Sequence, residues 1–230
     1  MWWILVAITS LVLFAVIFVI GYKSKHERED DDGTQWGMPL TPANDAAGIK
    51  GEKEVNSSLR HLLNSDEYLL TNLLLPLKNG NKTEIDCVLI TRKGIFCIET
   101  KRWLGHISGN DEDDDWLQEY DDPSMSDRKH NNPVKQNAWH CRVLKRKLNN
   151  RYAVNNIVIF DDLEDGVRIN SKHTFTINEF KDHYRKLNNN EIPEIGLKPI
   201  YQQLVKYIAS PKELAKHKKK VNKKTLMLRG

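Results

Sequence analysis

Residues 84–101 read EIDCVLITRKGIFCIETK, two apolar runs joined by a short polar link. Val, Ile, Phe and Thr are the residues that suit a pleated, half-buried surface, and a glycine at the link is a turn signal. The stretch therefore predicts a β-hairpin. With Lys93-Gly94 as a two-residue loop, Arg92 pairs with Ile95, Val88 lies opposite Glu99, and Asp86 opposite Lys101. Residues two apart in a strand share a face. Glu99, Lys101 and Asp86 then cluster, with Glu84 one step further along. Ile85, Cys87, Leu89, Phe96 and Ile98 fall on the other face. Val88, Ile90, Ile95 and Cys97 make the charged face apolar too. The hairpin is expected to be buried on both sides, with its charges gathered at one end. A slip of one residue would scatter them.

Charges at the end of a buried strand pair are costly unless they are paired or bind a metal. Two readings follow. One is a cross-strand salt bridge of Asp86 with Lys101 at a solvated edge. The other is a metal site. Asp86 and Glu99 make a hard oxygen donor set suited to Mg²⁺, with Mn²⁺ as a substitute. Such an ion polarises a phosphoryl oxygen and lowers the pKa of a bound water. Lys101 beside it would position the water or neutralise developing charge. Spacing alone does not choose between these readings.

Working outward, residues 50–64 place Val55, Leu59, Leu62 and Leu63 at helical spacing, with Glu52 and Glu54 in the first turns. Residues 68–75 read as a strand ended by Pro76, and 78–83 as a turn. Residues 103–132 form a long polar excursion containing Trp103, Gly105, Gly109, Trp116 and the acidic run 111–115. Asn132-Pro133 predicts a helix start, Asn as cap and Pro at the first position. Its apolar stripe is Trp139, Val143, Leu144 and Leu148. Residues 154–160 read as a strand, 172–177 as a weaker one, and 178–187 and 197–209 as helices. This order of elements predicts an α/β (α+β) domain with a mixed sheet flanked by helices.

Residues 2–20 are apolar apart from Thr9 and Ser10, and about 20 such residues span a bilayer core. No basic residue precedes the run, which argues against a cleaved secretory signal. Lys23, Lys25 and Arg28 follow it, so the positive-inside bias puts the remainder in the cytoplasm. The expected organisation is a transmembrane anchor over 1–22, a linker over 23–47, one domain over 48–187, and a C-terminal helix and basic tail over 188–230. The location expected is the plasma (inner) membrane, single-pass.

The net charge of +4 is unevenly placed: residues 211–224 are strongly basic and could attract nucleic acid or anionic lipid. A solvated, frayed terminus accounts for them equally well. Three cysteines without C-x-x-C spacing argue against a disulfide framework or zinc knuckle. There is no His-x-x-x-His pair and no phosphate-binding P-loop. His140 follows Gln136 by one helical turn and could face the site, although exposure to solvent is the expectation. Trp103 and Trp116 are expected to pin the excursion to the sheet.

Several of these elements together resemble the NERD (nuclease-related) domain. They are Gly48-Ile-Lys-Gly51-Glu52, Glu84-Ile-Asp86, Ile98-Glu99-Thr-Lys101, Trp103-Leu-Gly105-His-Ile-Ser-Gly109 followed by Trp116, and Asn132-Pro133-Val-Lys-Gln136. The resemblance covers about residues 46–160. It implies the restriction-endonuclease-like, PD-(D/E)xK, fold. It also implies metal ligation by Asp86 and Glu99, with Glu52 reaching the ion from its helix. Lys101 would be the catalytic lysine, and Gln136 would line the site. Glu52 is selected over Glu54 by this resemblance. Arg102 departs from the polar residue usual after the lysine. The function expected is a Mg²⁺-dependent nuclease acting on nucleic acid, DNA ahead of RNA. The alternative is an inactive module of the same fold that binds nucleic acid or a protein partner at the membrane.

Overall fold

The computed structural model describes residues 45–161, 168–189 and 191–229. The apolar run 2–20 and most of the linker lie outside the described residues. Among the described residues, no helix is long and apolar enough to cross a membrane.

The chain opens with helix α1 (Asp45–Arg60) and continues into β1 (Tyr68–Pro76), β2 (Lys82–Thr91) and β3 (Gly94–Lys101). Three short strands follow: β4 (His106–Asn110), β5 (Asp115–Glu119) and β6 (Arg128–Asn131). Helix α2 (Pro133–Lys147) leads to β7 (Val154–Phe160), β8 (Arg168–Asn170) and β9 (Thr174–Thr176). The chain closes with α3 (Ile177–Lys186), α4 (Glu194–Leu204), a 3₁₀ turn at Val205–Tyr207, and α5 (Pro211–Arg229).

The central sheet has the order β1-β2-β3-β7-β9. Its first three strands are antiparallel, whereas β3, β7 and β9 run parallel. A parallel step from β3 to β7 requires a long crossover. The excursion and α2 supply it. The excursion is itself structured: its β6, β5 and β4, joined by β8 from beyond β7, form a second sheet in the order β6-β5-β4-β8. Sequence periodicity missed these strands because each is only three to five residues long and largely polar. Trp103 and Trp116 do pin this layer: with Ile107 and Val134 they pack on Val158 and Phe160 of β7. Gly109 lies directly beneath the Trp116 indole, where any Cβ would collide.

Both faces of the central sheet are apolar, which is the expectation for parallel strands covered by helices. Val55 and Leu59 of α1 and Phe180 and Tyr184 of α3 pack on Cys87, Leu89, Phe96 and Ile98. On the other side, Trp139, Val143 and Leu144 of α2 and Leu197, Ile200 and Leu204 of α4 pack on Val88, Ile90, Ile95 and Cys97. All three cysteines are buried free thiols. Ile85 departs from expectation by joining Val88 and Ile90. The alternation breaks where Asn72 of β1, with φ of 57°, separates the pairs Thr71–Cys87 and Leu73–Ile85.

The hairpin register also differs from expectation. Thr91 pairs with Gly94, so the loop is Arg92-Lys93, and the ladder runs through Val88–Cys97 to Cys87–Ile98. The shift is two residues. Glu99 and Lys101, two apart in one strand, share a face whatever the register, whereas Asp86 lies just beyond the last ladder pair, where the alternation breaks. What changes is the partner: Asp86 now neighbours Glu99 instead of Lys101.

Candidate functional site

The charges at the end of the hairpin form a connected group. Lys101 Nζ donates to Glu99 Oε1 at 2.7 Å and to Gln136 Oε1 at 3.2 Å. Glu99 and Lys101 are nearly buried, with side chains 6% and 10% exposed. The expected Asp86–Lys101 salt bridge is thus replaced by a Glu99–Lys101 bridge along one strand. Gln136 arrives because Asn132 starts α2 where it does. The Asn132 side-chain oxygen accepts from Val134 N at 2.8 Å and Lys135 N at 3.2 Å, satisfying the helix's first amides. Its amide nitrogen donates to the carbonyls of Asn110, Asp111 and Asp113 at 3.1, 3.1 and 2.7 Å. One side chain therefore ties the helix start to the β4–β5 turn. Asn137 ties α2 to two neighbouring strands of the central sheet, donating to Cys97 O of β3 and Ile157 O of β7 at 2.9 Å each.

His140, expected at the surface, is buried at 5% exposure. Its Nδ1 stands 3.4 Å from Glu99 Oε2 and has no well-formed hydrogen bond among the described residues. The helical spacing Gln136 to His140 is the signal that could have found it: residues four apart share a helix face.

Asp86 Oδ2 accepts from Thr100 N at 3.0 Å. Burial pushes the Asp86 carboxyl well above its ordinary range, and the charges of Glu99, Glu52 and Glu84 push it further. Glu84 is likewise raised to about 7, chiefly by burial, with Glu52 and Glu99 adding and Lys218 opposing. Burial would raise Glu99 too, but Lys101 and His140 outweigh it and hold it down at about 2. Four carboxylates from α1, β2 and β3 therefore act on one another electrostatically. Glu54, by contrast, is half exposed and pairs with Lys50 at 3.7 Å and Arg102 at 3.8 Å. Arg102 also pairs with Asp161 at 3.4 Å. A Cβ on Gly51 would meet Asp161 Oδ2 at 2.7 Å. The glycine thus lets α1 approach the end of β7 and brings Glu52 to the acidic group.

The five residues singled out in the sequence are placed as follows. Glu99, Lys101 and Gln136 are in direct contact. Asp86 is beside Glu99, and Glu52 reaches Asp86 through its charge. No group of three or more His, Cys, Asp or Glu side chains among the described residues is assembled to hold a metal ion as it stands. Glu99 instead turns its oxygens toward Lys101 and His140.

The stretch of chain that carries these residues matches a known family. Residues 47–161 match the nuclease-related domain, NERD, and the chain belongs to that family. It is also similar to an uncharacterized protein of Bacillus anthracis. The two are 24% identical over 173 residues, covering 74% of this chain and 80% of the relative. No solved structure matches the chain.

Proposed function

We propose that this chain is a metal-dependent nuclease that hydrolyses phosphodiester bonds of DNA or RNA at the inner face of a membrane. The observation that carries the reading is the buried Lys101–Glu99 bridge, 2.7 Å long, set among three further carboxylates. A buried excess of negative charge is unfavourable, and a divalent cation offsets it. The donor chemistry fits: Asp86, Glu99 and Glu52 offer carboxylate oxygens, the ligand type that Mg²⁺ and Mn²⁺ prefer. When bound, such an ion supplies Lewis acidity toward a phosphoryl oxygen and a more acidic water.

The chain's own residues would contribute the remainder. The Lys101 ammonium would neutralise negative charge developing on the phosphoryl oxygens. Gln136, holding Nζ at 3.2 Å, fixes where that ammonium points. The apolar layers beneath the site exclude water and strengthen these interactions. On this reading, the sheet with α1 ahead of the hairpin and α2 in the crossover corresponds to a restriction-endonuclease-like core. Residues 2–20 would anchor it, with the domain in the cytoplasm.

A second reading has its own support. Glu99 is engaged by Lys101 and His140, and no assembled metal cluster occurs among the described residues. A binding module without catalysis would keep such a closed bridge. One experiment decides. The full chain is incubated with supercoiled DNA, single-stranded DNA and RNA in Mg²⁺, Mn²⁺ or EDTA, beside Glu99→Gln and Lys101→Ala. Metal-dependent cleavage that falls at least about 100-fold in both variants is expected. Cleavage that persists in both would remove the assigned site. Binding without cleavage would establish the module reading.

A further inference from the structure

The basic C-terminal segment is a docked helix. At its start, Ser210 Oγ accepts from Glu213 N at 3.3 Å and Glu213 Oε2 accepts from Ser210 N at 2.9 Å, a capping box. From there α5 divides by face. Leu214, His217, Lys218 and Val221 recur at helical spacing and are half-buried. Lys212, Lys216, Lys219 and Lys223 are all exposed and occupy the opposite side. At 3.6 residues per turn these four fall within one narrow stripe, rising about 16 Å from first to last. Among the described residues, none of the four pairs with a carboxylate.

The half-buried face and its flank fasten α5 to the domain beside the acidic group. Lys218 Nζ lies 3.7 Å from Glu84 Oε1, and Lys220 Nζ donates to Asn81 Oδ1 at 3.2 Å. Glu84 feels the charges of Glu52 and Glu99. One side of α5 thus borders the carboxylates while the other offers a row of four ammonium groups to solvent. A stripe of about 16 Å matches roughly five base pairs at about 3.4 Å each. A membrane-lying helix would instead need apolar side chains to insert. Among the described side chains, the exposed large apolar residues are Leu104, Met125, Ile195 and Ile208, none of them on α5 between Pro211 and Lys223.

We propose that the row Lys212, Lys216, Lys219 and Lys223 docks the phosphate backbone of a nucleic acid on the side of α5 that faces away from the acidic group. The proposal rests on the nuclease reading for what happens at that group, but its test is separate. Binding of the full chain to labelled 30-mer duplex and single strand is followed by fluorescence anisotropy in EDTA, as a function of salt. Each phosphate neutralised contributes about 0.9 to the log–log salt slope on duplex and about 0.7 on single strands. The variant K212Q/K216Q/K219Q/K223Q is expected to lower the slope by about 3.6 and 2.8 respectively. Four Lys→Arg changes should keep the slope, and K216Q/K219Q should remove half as much, which covers any folding defect in the fourfold variant.

A slope unchanged in the Gln variants overturns the proposal, even if the chain cuts DNA. Slope loss as stated supports it, even if Glu99→Gln shows that nothing is cut. No binding of either nucleic acid overturns it, as does binding of the row to vesicles containing phosphatidylserine in place of nucleic acid.

Discussion

Replacing Lys101 by Met removes one partner of a buried ion pair and leaves the other in an acidic neighbourhood. The charges stand 2.7 Å apart. At an effective dielectric constant near 20 their gross attraction is about 6 kcal/mol, much of it offset by desolvation. Stranding one member of such a pair costs about 3–5 kcal/mol. Lys101→Met should sit at the upper end, because Glu99 is left facing Asp86, Glu52 and Glu84. Glu99→Gln should cost less, since it also withdraws a charge from that group. The double variant should cost less than the sum by more than about 2 kcal/mol, because neither charge is then stranded. Urea titrations of wild type, both singles and the double at pH 7.5 give the cycle. A further arm adds Mg²⁺. If the carboxylates bind the ion, Lys101→Met should regain stability as the concentration passes its Kd, by about 2.7 kcal/mol at a hundredfold excess. Additive costs in the cycle, or Glu99→Gln costing more than Lys101→Met, would refute the electrostatic account. No Mg²⁺ effect in any variant would refute the ion-binding part.

Three other substitutions test separate links. Glu84 is raised to about 7, so the folded chain holds a proton that the unfolded chain releases. Stability from this group therefore falls as pH rises from about 4.5 to about 7, and Glu84→Gln should gain up to about 3 kcal/mol above that window and nothing below it. Melting curves at pH 4.5 and 8 measure the difference. Asn132→Ala removes the α2 cap and the contacts to three carbonyls. It should cost about 3 kcal/mol and lower Tm by about 6–12 °C in a thermal scan. Gly51→Ala drives a methyl against Asp161 Oδ2, and about 1–3 kcal/mol of destabilisation by urea titration is expected.

Membership of the nuclease-related family gives the acidic group a chemical context, and His140 changes how that group is read. The ring stands 3.4 Å from the far oxygen of Glu99, so the carboxylate is bonded by Lys101 on one side and walled by His140 on the other. A side chain so confined is oriented before any substrate arrives, which is the condition for electrostatic stabilisation at little reorganisation cost. It is also the arrangement that an inert bridge would show. The cleavage assay and the Mg²⁺ arm of the stability cycle therefore ask different questions of the same residues.

Local chemistry was legible directly in the chain. The hairpin, the Asn132-Pro133 helix start, the strand 154–160 and the two-faced burial of the sheet all follow from periodicity, turn residues and capping. So does the shared face of Glu99 and Lys101, which stand two apart in one strand whatever the hairpin register. Other features depended on contacts between distant elements. Whether Lys101 bonds Asp86 or Glu99 was decided by where Thr91 met Gly94 to close the turn. His140 became part of the site only when α2 was laid across β3. The short polar strands of the second sheet have too few side chains to carry a pattern, and they exist through pairing with one another and the weight of Trp103 and Trp116 against β7. The basic tail could have been a frayed end or a working surface. Its row of lysines was already spaced for one face of a helix, but only docking of the opposite face, with Lys218 beside Glu84, turned that row outward. Sequence spacing determines which residues share an element's face. Only tertiary packing decides what that face meets, because burial and partner charges come from segments far away in the chain.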